Sequence, residues 1–462
     1  MHERLADWIE VNTKDLAGEY EEIVAYHLEQ AHRSLLELGP PSDRVAVLAG
    51  RTAERLASAG ERAFARGDMP AAVNLLSRAT ALLPFDDARR LELLPEIAFA
   101  LMETADFDRL VAVAREMEEA AAETGDIGHQ AHAIVIGLWI RLFTNPDSWS
   151  AEAEPQARRA IATFHRLGDE RGLARAWSLL GLVGMLNSRL ALAEDAWSRA
   201  VEHAQRAGNR RDALEGLAWV AAAVWVGPTP ANDGIRRCRE LFDLAQGDRK
   251  AMSTALFCQA GLEADIGHFD DATALFGRAR ALLEEVALPV WLAGGLTQAL
   301  GWALLFEGKA AAAEHELRGG YETLMAIGEV TFLSTVAGIL AEAIYAQDRY
   351  DEAESFTRIS EESAGAEDVY SQLLWRSVRS KCLARQGKMS QALALASECV
   401  PLVEATDSLD LRWHALMSRA EVLRLAGQAE QAEAAVHEAI HAAERKGNLV
   451  AARLSREALT PA

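Results

Sequence analysis

The chain has 462 residues, more than one hydrophobic core usually supports, and its 50% hydrophobic and 25% charged residues with only 12 prolines exclude a largely disordered polymer. A formal net charge of −22 repels phosphate backbones, and the arginine pairs (Arg89-Arg90, Arg158-Arg159, Arg210-Arg211, Arg236-Arg237) are scattered among carboxylates, so nucleic-acid binding is not expected. Cys238, Cys258, Cys382 and Cys399 show no C-x-x-C spacing, and the longest uninterrupted apolar run, Leu217–Val226, is about half of a bilayer crossing; these features argue against a thiol-ligated zinc, a redox pair and a membrane span, and point to a reducing cytoplasm.

Residues 1–41 carry no repeat anchor. His2 to Glu10 reads as a short amphipathic helix with Leu5, Trp8 and Ile9 apolar, and a second helix runs from about Asp15 to Leu38, closing at Gly39-Pro40-Pro41. Because the chain opens inside helical sequence without a cap, this segment is expected to be the junction to a missing upstream domain. From Ser42, an N-cap residue, a helix runs to about Arg66; Gly67-Asp68 breaks it before a second helix that ends at Pro84. The next hairpin centres on Ala105-Asp106-Phe107, and an irregular third, broken at Asn145-Pro146, ends near Gly168-Asp169.

The fourth unit, Trp177 to Gly208, is the clearest copy of the repeat. Trp177, Leu180 and Gly181 give W-x2-L-G, a turn follows at Asn187-Ser188, and Ala193, Trp197 and Ala200 recur at helical spacing, as in the tetratricopeptide (TPR) pattern. Gly181 and Ala193 are the positions where two helix backbones are expected to approach, with Trp177 and Trp197 on either side. Gly184 replaces the tyrosine of the pattern, and Gln205 stands where its proline would end the helix, which lengthens the unit.

A fifth hairpin is interrupted by Gly227-Pro228-Thr229-Pro230. Beyond it the turn residues Gly267, Gly308, Asp348, Gly387 and Gly427 recur roughly every 40 residues, and the fifth residue after each is Ala272, Ala313, Ala353, Ala392 and Ala432. These alanines, with Gly60 and Ala72 in the first unit and Gly181 and Ala193 in the fourth, read as helix-packing anchors. A second class of turn closes the units at Gly125, Gly168, Gly208, Gly247, Gly328 and Gly447. The expected fold is all-α: a right-handed superhelical solenoid of about ten TPR-like hairpins over residues 42–447, preceded by the helical segment 1–41 and closed by a capping helix and tail, 448–462.

These units resemble the long TPR variety of large bacterial signal-transduction ATPases. The stretches HERLADWIE, EYEEIVAYHLEQA and AGERAFARGDMPAAVNLLSRATALLP are similar to the segment that follows the AAA/STAND ATPase domain in bacterial cyclase/ATPase/TPR proteins and in LuxR-type large ATP-binding regulators. The resemblance implies a regulatory arm that receives effectors or protein partners. The catalytic parts are missing: there is no G-x-x-x-x-G-K-[ST] loop, since Gly308-Lys309 and Gly387-Lys388 are followed by Ala310 and Met389, and no cyclase signature.

The first helix of each unit is expected to line a concave surface. Carried over by register, its inward positions are Gln298 and Trp302, Glu342 and Tyr345, Lys381 and Arg385, and Glu421 and Arg424. The competing reading makes Trp302 and Tyr345 core and the charges a solvated face. His437 and His441, four apart, and His129 and His132, three apart, lack a third ligand, so no metal or other cofactor is expected. No Ser/His/Asp or Cys/His set stands at local spacing, and an enzyme is not expected. The function expected is a non-catalytic interaction scaffold that holds a protein or peptide partner, an ATPase or cyclase domain of the parent protein among them; such an array is also compatible with self-association. The alternative is an effector sensor with a pocket at the irregular third to fifth units, near Trp139, Trp149, Trp219 and Trp225.

Overall fold

The computed structural model describes residues 1–12, 17–39, 42–85, 87–104, 106–144 and 149–460. The breaks placed at Gly39-Pro40-Pro41, Ala105 and Asn145-Pro146 lie wholly or partly outside them. Every regular element among the described residues is helical. An initial pair, α1 (His2–Asn12) and α2 (Ala17–Leu38), precedes ten hairpins. In order these are α3 (Asp43–Ala65) with α4 (Met69–Ala81), α5 (Ala88–Glu103) with α6 (Phe107–Thr124), α7 (Ile127–Thr144) with α8 (Trp149–Leu167), α9 (Glu170–Leu186) with α10 (Leu190–Arg206), and α11 (Arg210–Val226) with α12 (Ala231–Leu244). The sixth hairpin is α13 (Arg249–Asp265) with α14 (Phe269–Glu285). In the seventh, α15 (Pro289–Trp291) runs through a π-helical turn, Leu292–Leu296, into α16 (Thr297–Phe306), which pairs with α17 (Ala310–Ile327). Then come α18 (Thr331–Tyr345) with α19 (Tyr350–Ser363), α20 (Val369–Arg385) with α21 (Met389–Ala405), and α22 (Leu409–Leu425) with α23 (Ala429–Lys446), followed by α24 (Leu449–Leu459). The chain is an all-α, TPR-like solenoid of helical hairpins.

The turns explain the periodicity. Gly267, Gly308, Gly387 and Gly427 have φ of 88°, 82°, 79° and 75°, and Asp348 takes the same left-handed place at 61°. A β-carbon costs energy there, which is why four of the five positions are glycine and the fifth is a residue type that tolerates the region. The alanines five residues on are buried, from 0 to 2% exposed, where the second helix crosses the first. In the fourth hairpin the close approach differs from the simple pattern. A β-carbon on Gly184 would lie 2.8 Å from the Ala193 nitrogen, so Gly184 is the backbone partner of Ala193, whereas Gly181 makes room for the Trp197 ring, 2.7 Å from where its β-carbon would stand. The residue that departs from the pattern is the one that lets the helices touch.

The contacts divide the chain into two compact units: Met1–Asn145 with Pro155–Ala176 and Ala204–Arg211, and Pro146–Glu154 with Trp177–His203 and Asp212–Ala462. In the first unit, Leu56, Leu76, Leu94, Leu101 and Leu110 centre a core to which α3–α6 contribute, and Glu96 pairs with Arg175 at 2.8 Å in the interior. The helix starts are capped locally: Asp68, Asp87, Asp106, Asp126 and Asp169 each accept from a backbone N–H two or three residues on.

In the second unit Asp248, Asp368, Ser408 and Asn448 cap locally in the same way, and other helix ends are met by residues far away in sequence. Glu367 accepts from the backbone N–H and hydroxyl of Ser150, 217 residues earlier, at the start of α8. Asp407 accepts from the Leu190 and Ala191 N–H groups at the start of α10, at 2.6 and 3.0 Å, again 217 and 216 residues away. Lys446, fully buried, donates to the carbonyls of Val224, Trp225 and Gly227 at the end of α11, 219 to 222 residues away. Three such contacts, 216 to 222 residues apart, mean that the stack in this unit winds back on itself and seats later segments on the helix ends of earlier ones. Pro289–Phe306, the one helical stretch among the described residues long and apolar enough to cross a membrane, lies in this unit with Ala293, Leu296, Ala299 and Ala303 buried.

Candidate functional site

Winding the second unit back on itself brings first helices from five hairpins around one interior space. A small cavity opens among Trp225 of α11, Gly261 and Asp265 of α13, Trp302 and Phe306 of α16, Tyr370 of α20, and Asp410, Trp413 and His414 of α22. Its aromatic wall is continuous. Ring centroids lie 6.3 Å apart for Trp302 and Phe306, 5.5 Å for Phe306 and Trp413, and 5.2 Å for Trp302 and His414. The Trp302 indole donates to the Tyr370 hydroxyl at 3.2 Å, and the Trp413 indole to Ser455 at 2.8 Å.

The polar part of the wall is unevenly satisfied. Asn448 places its side-chain amide between two carboxyls, 3.0 Å from Asp265 Oδ1 and 3.0 Å from Asp410 Oδ1. Asp410 Oδ2 stands 3.9 Å from the Lys446 ammonium, whose hydrogen bonds go to the α11 carbonyls. Asp265 Oδ2 and His414 Nε2 are buried without a hydrogen-bond partner. Burial, then the neighbouring Asp410, pushes the Asp265 carboxyl well above the usual carboxylate range, against the pull of Lys446. Asp410 is likewise raised by burial, with Lys446 and Asn448 opposing. His414 is pushed down to about 4 by burial and by Lys381, against the attraction of Glu342, so it is neutral at neutral pH.

The positions expected on the concave surface fall into three groups. Lys381 is buried and reaches both oxygens of Glu342 at 2.6 and 2.7 Å, with its ammonium 4.4 Å from the Tyr345 ring centroid. Burial raises the Glu342 carboxyl, but Lys381 and His414 outweigh it and hold the group below its usual value. Tyr345 donates to Glu421, and Arg385 donates to both the Tyr345 hydroxyl and Glu421; burial and the Glu421 charge raise the Tyr345 phenol. Trp302 lines the cavity. Gln298 is half-buried on the same helix, and Arg424 is exposed and turned away to the Ala458 carbonyl. Five of the eight thus meet one another one or two repeats apart.

Asp265, Tyr370, Asp410, His414, Lys446 and Asn448 are not prominent in the sequence. The available signal is α13, whose small and apolar residues run all round the helix, so that Glu263 and Asp265 fall among positions that are buried in the structure. Lys446 looks like an ordinary basic residue in a last helical turn. Of the histidines, His437 and His441 are exposed, while His132 pairs with Asp169 at 2.8 Å within the first unit. Glu263, His268 and Asp271 bring one possible ligand atom each within 4.8 Å, the one such group among the described residues, although Glu263 already accepts from Arg239 and Gln259. The four cysteines are buried and free, and burial raises Cys238 and Cys382 to about 12.

No family model matches the chain, and no curated protein matches it in sequence. Among solved structures it is similar to a Rap protein complexed with competence and sporulation factor, at 12% identity over 80% of this chain and 97% of that one, with a TM-score of 0.45. The apo form of the quorum sensor NprR from B. thuringiensis aligns at 11% identity over 77% and 99%, TM-score 0.45, and yeast Tom70 at 12% over 99% and 95%, TM-score 0.41.

Proposed function

We propose that the chain is a non-catalytic, cytoplasmic regulatory arm that docks a protein partner, and that the partner is the ATPase domain of a STAND-type signalling protein. One observation supports this above the others. Solenoids need polar terminal faces, yet Leu5, Trp8 and Val11 on α1 are 41%, 59% and 66% exposed, and they follow one another at helical spacing. Tyr26 on α2 and Val47 on α3 are also exposed. The α1 residues lie in the stretch that resembles the segment following such an ATPase domain. The test uses a purified ATPase domain of that family from the same genome. Adding this chain should change ATP turnover, and Trp8→Glu with Val11→Glu should abolish the effect without lowering Tm. Unchanged turnover with the unaltered chain would sink the proposal; a dimer that the double variant splits would assign the stripe to a second copy instead.

A second reading, effector sensing, is favoured by the cavity in the second unit. It replaces the expected location at the third to fifth hairpins: Trp219 stacks on Trp197 at 5.1 Å and meets Trp291 edge-on, whereas Trp225 lines the cavity with residues of the later hairpins. Ligand-dependent protection of the second unit in hydrogen exchange would test it.

A further inference from the structure

We infer that the cavity of the second unit is a site for a small amine with an apolar body, its ammonium held by Asp265 and Asp410 and its body by the Trp302, Phe306 and Trp413 wall. The inference rests on the effector-sensing reading and names the ligand's chemical class.

Two carboxyls, Asp265 and Asp410, share the donor of Asn448, and the one cation close to them, Lys446, spends its hydrogen bonds on three helix-end carbonyls. With His414 neutral, the group carries an unbalanced negative charge when both carboxyls ionise. Asp265 is 3% exposed, and its Oδ2 has no partner. A buried acceptor of this kind costs roughly 1–3 kcal/mol unless something donates to it. An ammonium supplies both the donor and the missing charge, and the charge-assisted bond is about twice as strong as a neutral one.

The alternatives fit less well. An anion would face two carboxyls, with the indole N–H groups of Trp302 and Trp413 already given to Tyr370 and Ser455 and Lys446 committed. A sugar stacks its C–H face on such rings but brings no positive charge to the carboxyls. Aromatic faces do suit an amine, since they stabilise a nearby cation through the ring quadrupole and bury a flat or alkyl body. His414, 5% exposed, lies in the same wall, with its Nε2 3.8 Å from Glu342 Oε2.

The experiment is calorimetric and fluorimetric titration of the full chain with tryptamine, phenethylamine and hexylamine, with indole-3-ethanol and indole-3-propionate as neutral and anionic counterparts. Saturable binding of at least one amine, with the indole alcohol and acid about tenfold weaker or worse than tryptamine, is expected. Asp265→Asn should remove that preference while leaving Tm unchanged, because a neutral amide replaces a carboxyl that burial already holds well above the usual carboxylate range. Ala303→Leu, which fills the cavity without altering its charges, should abolish binding and serves if the first variant does not fold. Equal affinity for the amine and the alcohol, no saturable binding by any of the three amines, or undiminished amine binding by Asp265→Asn would overturn the assignment. Stabilisation by non-amine metabolites alone would do the same, while leaving effector sensing as such in place.

Discussion

The two units meet the unsatisfied N–H and C=O groups at helix ends with the same local caps, in the second unit from Asp248, Asp368, Ser408 and Asn448, and the second unit adds contacts from far away in the chain. In the first unit the caps are local: Asp106 accepts from Arg109, three residues on, and similar aspartates begin α4, α5, α7 and α9. In the second unit Asp407 accepts from Leu190 and Ala191, and Lys446 closes α11, across more than 200 residues. A local cap stabilises one helix. A distant cap stabilises the helix and also fixes the winding of the stack, and it is this closure that encloses the cavity.

The comparison breaks most visibly at Lys446. Lys446→Ala leaves three α11 carbonyls without their donor and Asp410 without its cation, so a loss of about 3–5 kcal/mol is expected in chemical denaturation; a loss below 1 kcal/mol would mean that closure is held elsewhere. A pH effect comes next. His414 titrates near 4 in the folded chain and near 6.5 when unfolded. Since the folded pKa is the lower one, the unfolded state takes up the proton first as pH falls. The contribution is therefore complete above about 6.5 and is lost as pH falls towards 4, a total of about 3 kcal/mol. Asp265 and Asp410 are raised and act in the opposite sense, so the measurement is the difference between the unaltered chain and His414→Gln, compared at pH 7 and pH 4.5.

Smaller effects sharpen the contrast. Gly184→Ala pushes a methyl to within 2.8 Å of the Ala193 nitrogen and should cost about 2 kcal/mol. Asp407→Ala should cost about 2 kcal/mol and Asp106→Ala about 1 kcal/mol. Hydrogen exchange separates the two. The first should expose amides of both α10 and the Thr406–Ser408 loop, the second only those of α6, and identical local patterns would contradict the distinction between a distant and a local cap.

Much of this architecture is legible one repeat at a time. Lys381 follows Glu342 by 39 residues and Glu421 follows Arg385 by 36, so register alone makes them neighbours on adjacent first helices. Register does not say that the first pair is buried while Arg385 is exposed. Nor does it mark Asp265, Asp410 or Asn448, because each looks ordinary within its own hairpin and acquires its role only beside residues from other hairpins.

By itself the sequence determined the helices, the left-handed turns and the alanine contacts, since a φ near 80° or a close helix crossing restricts which residue can stand there. Only the tertiary structure decided where the stack closes. That depends on the rotation accumulated over successive hairpins, a sum of small packing angles that no single repeat encodes. It is the 217-residue offset set by that sum that seats Asp407 on α10, while Lys446, at 219 residues from Gly227, seals α11 beside the orphaned carboxyl of Asp265.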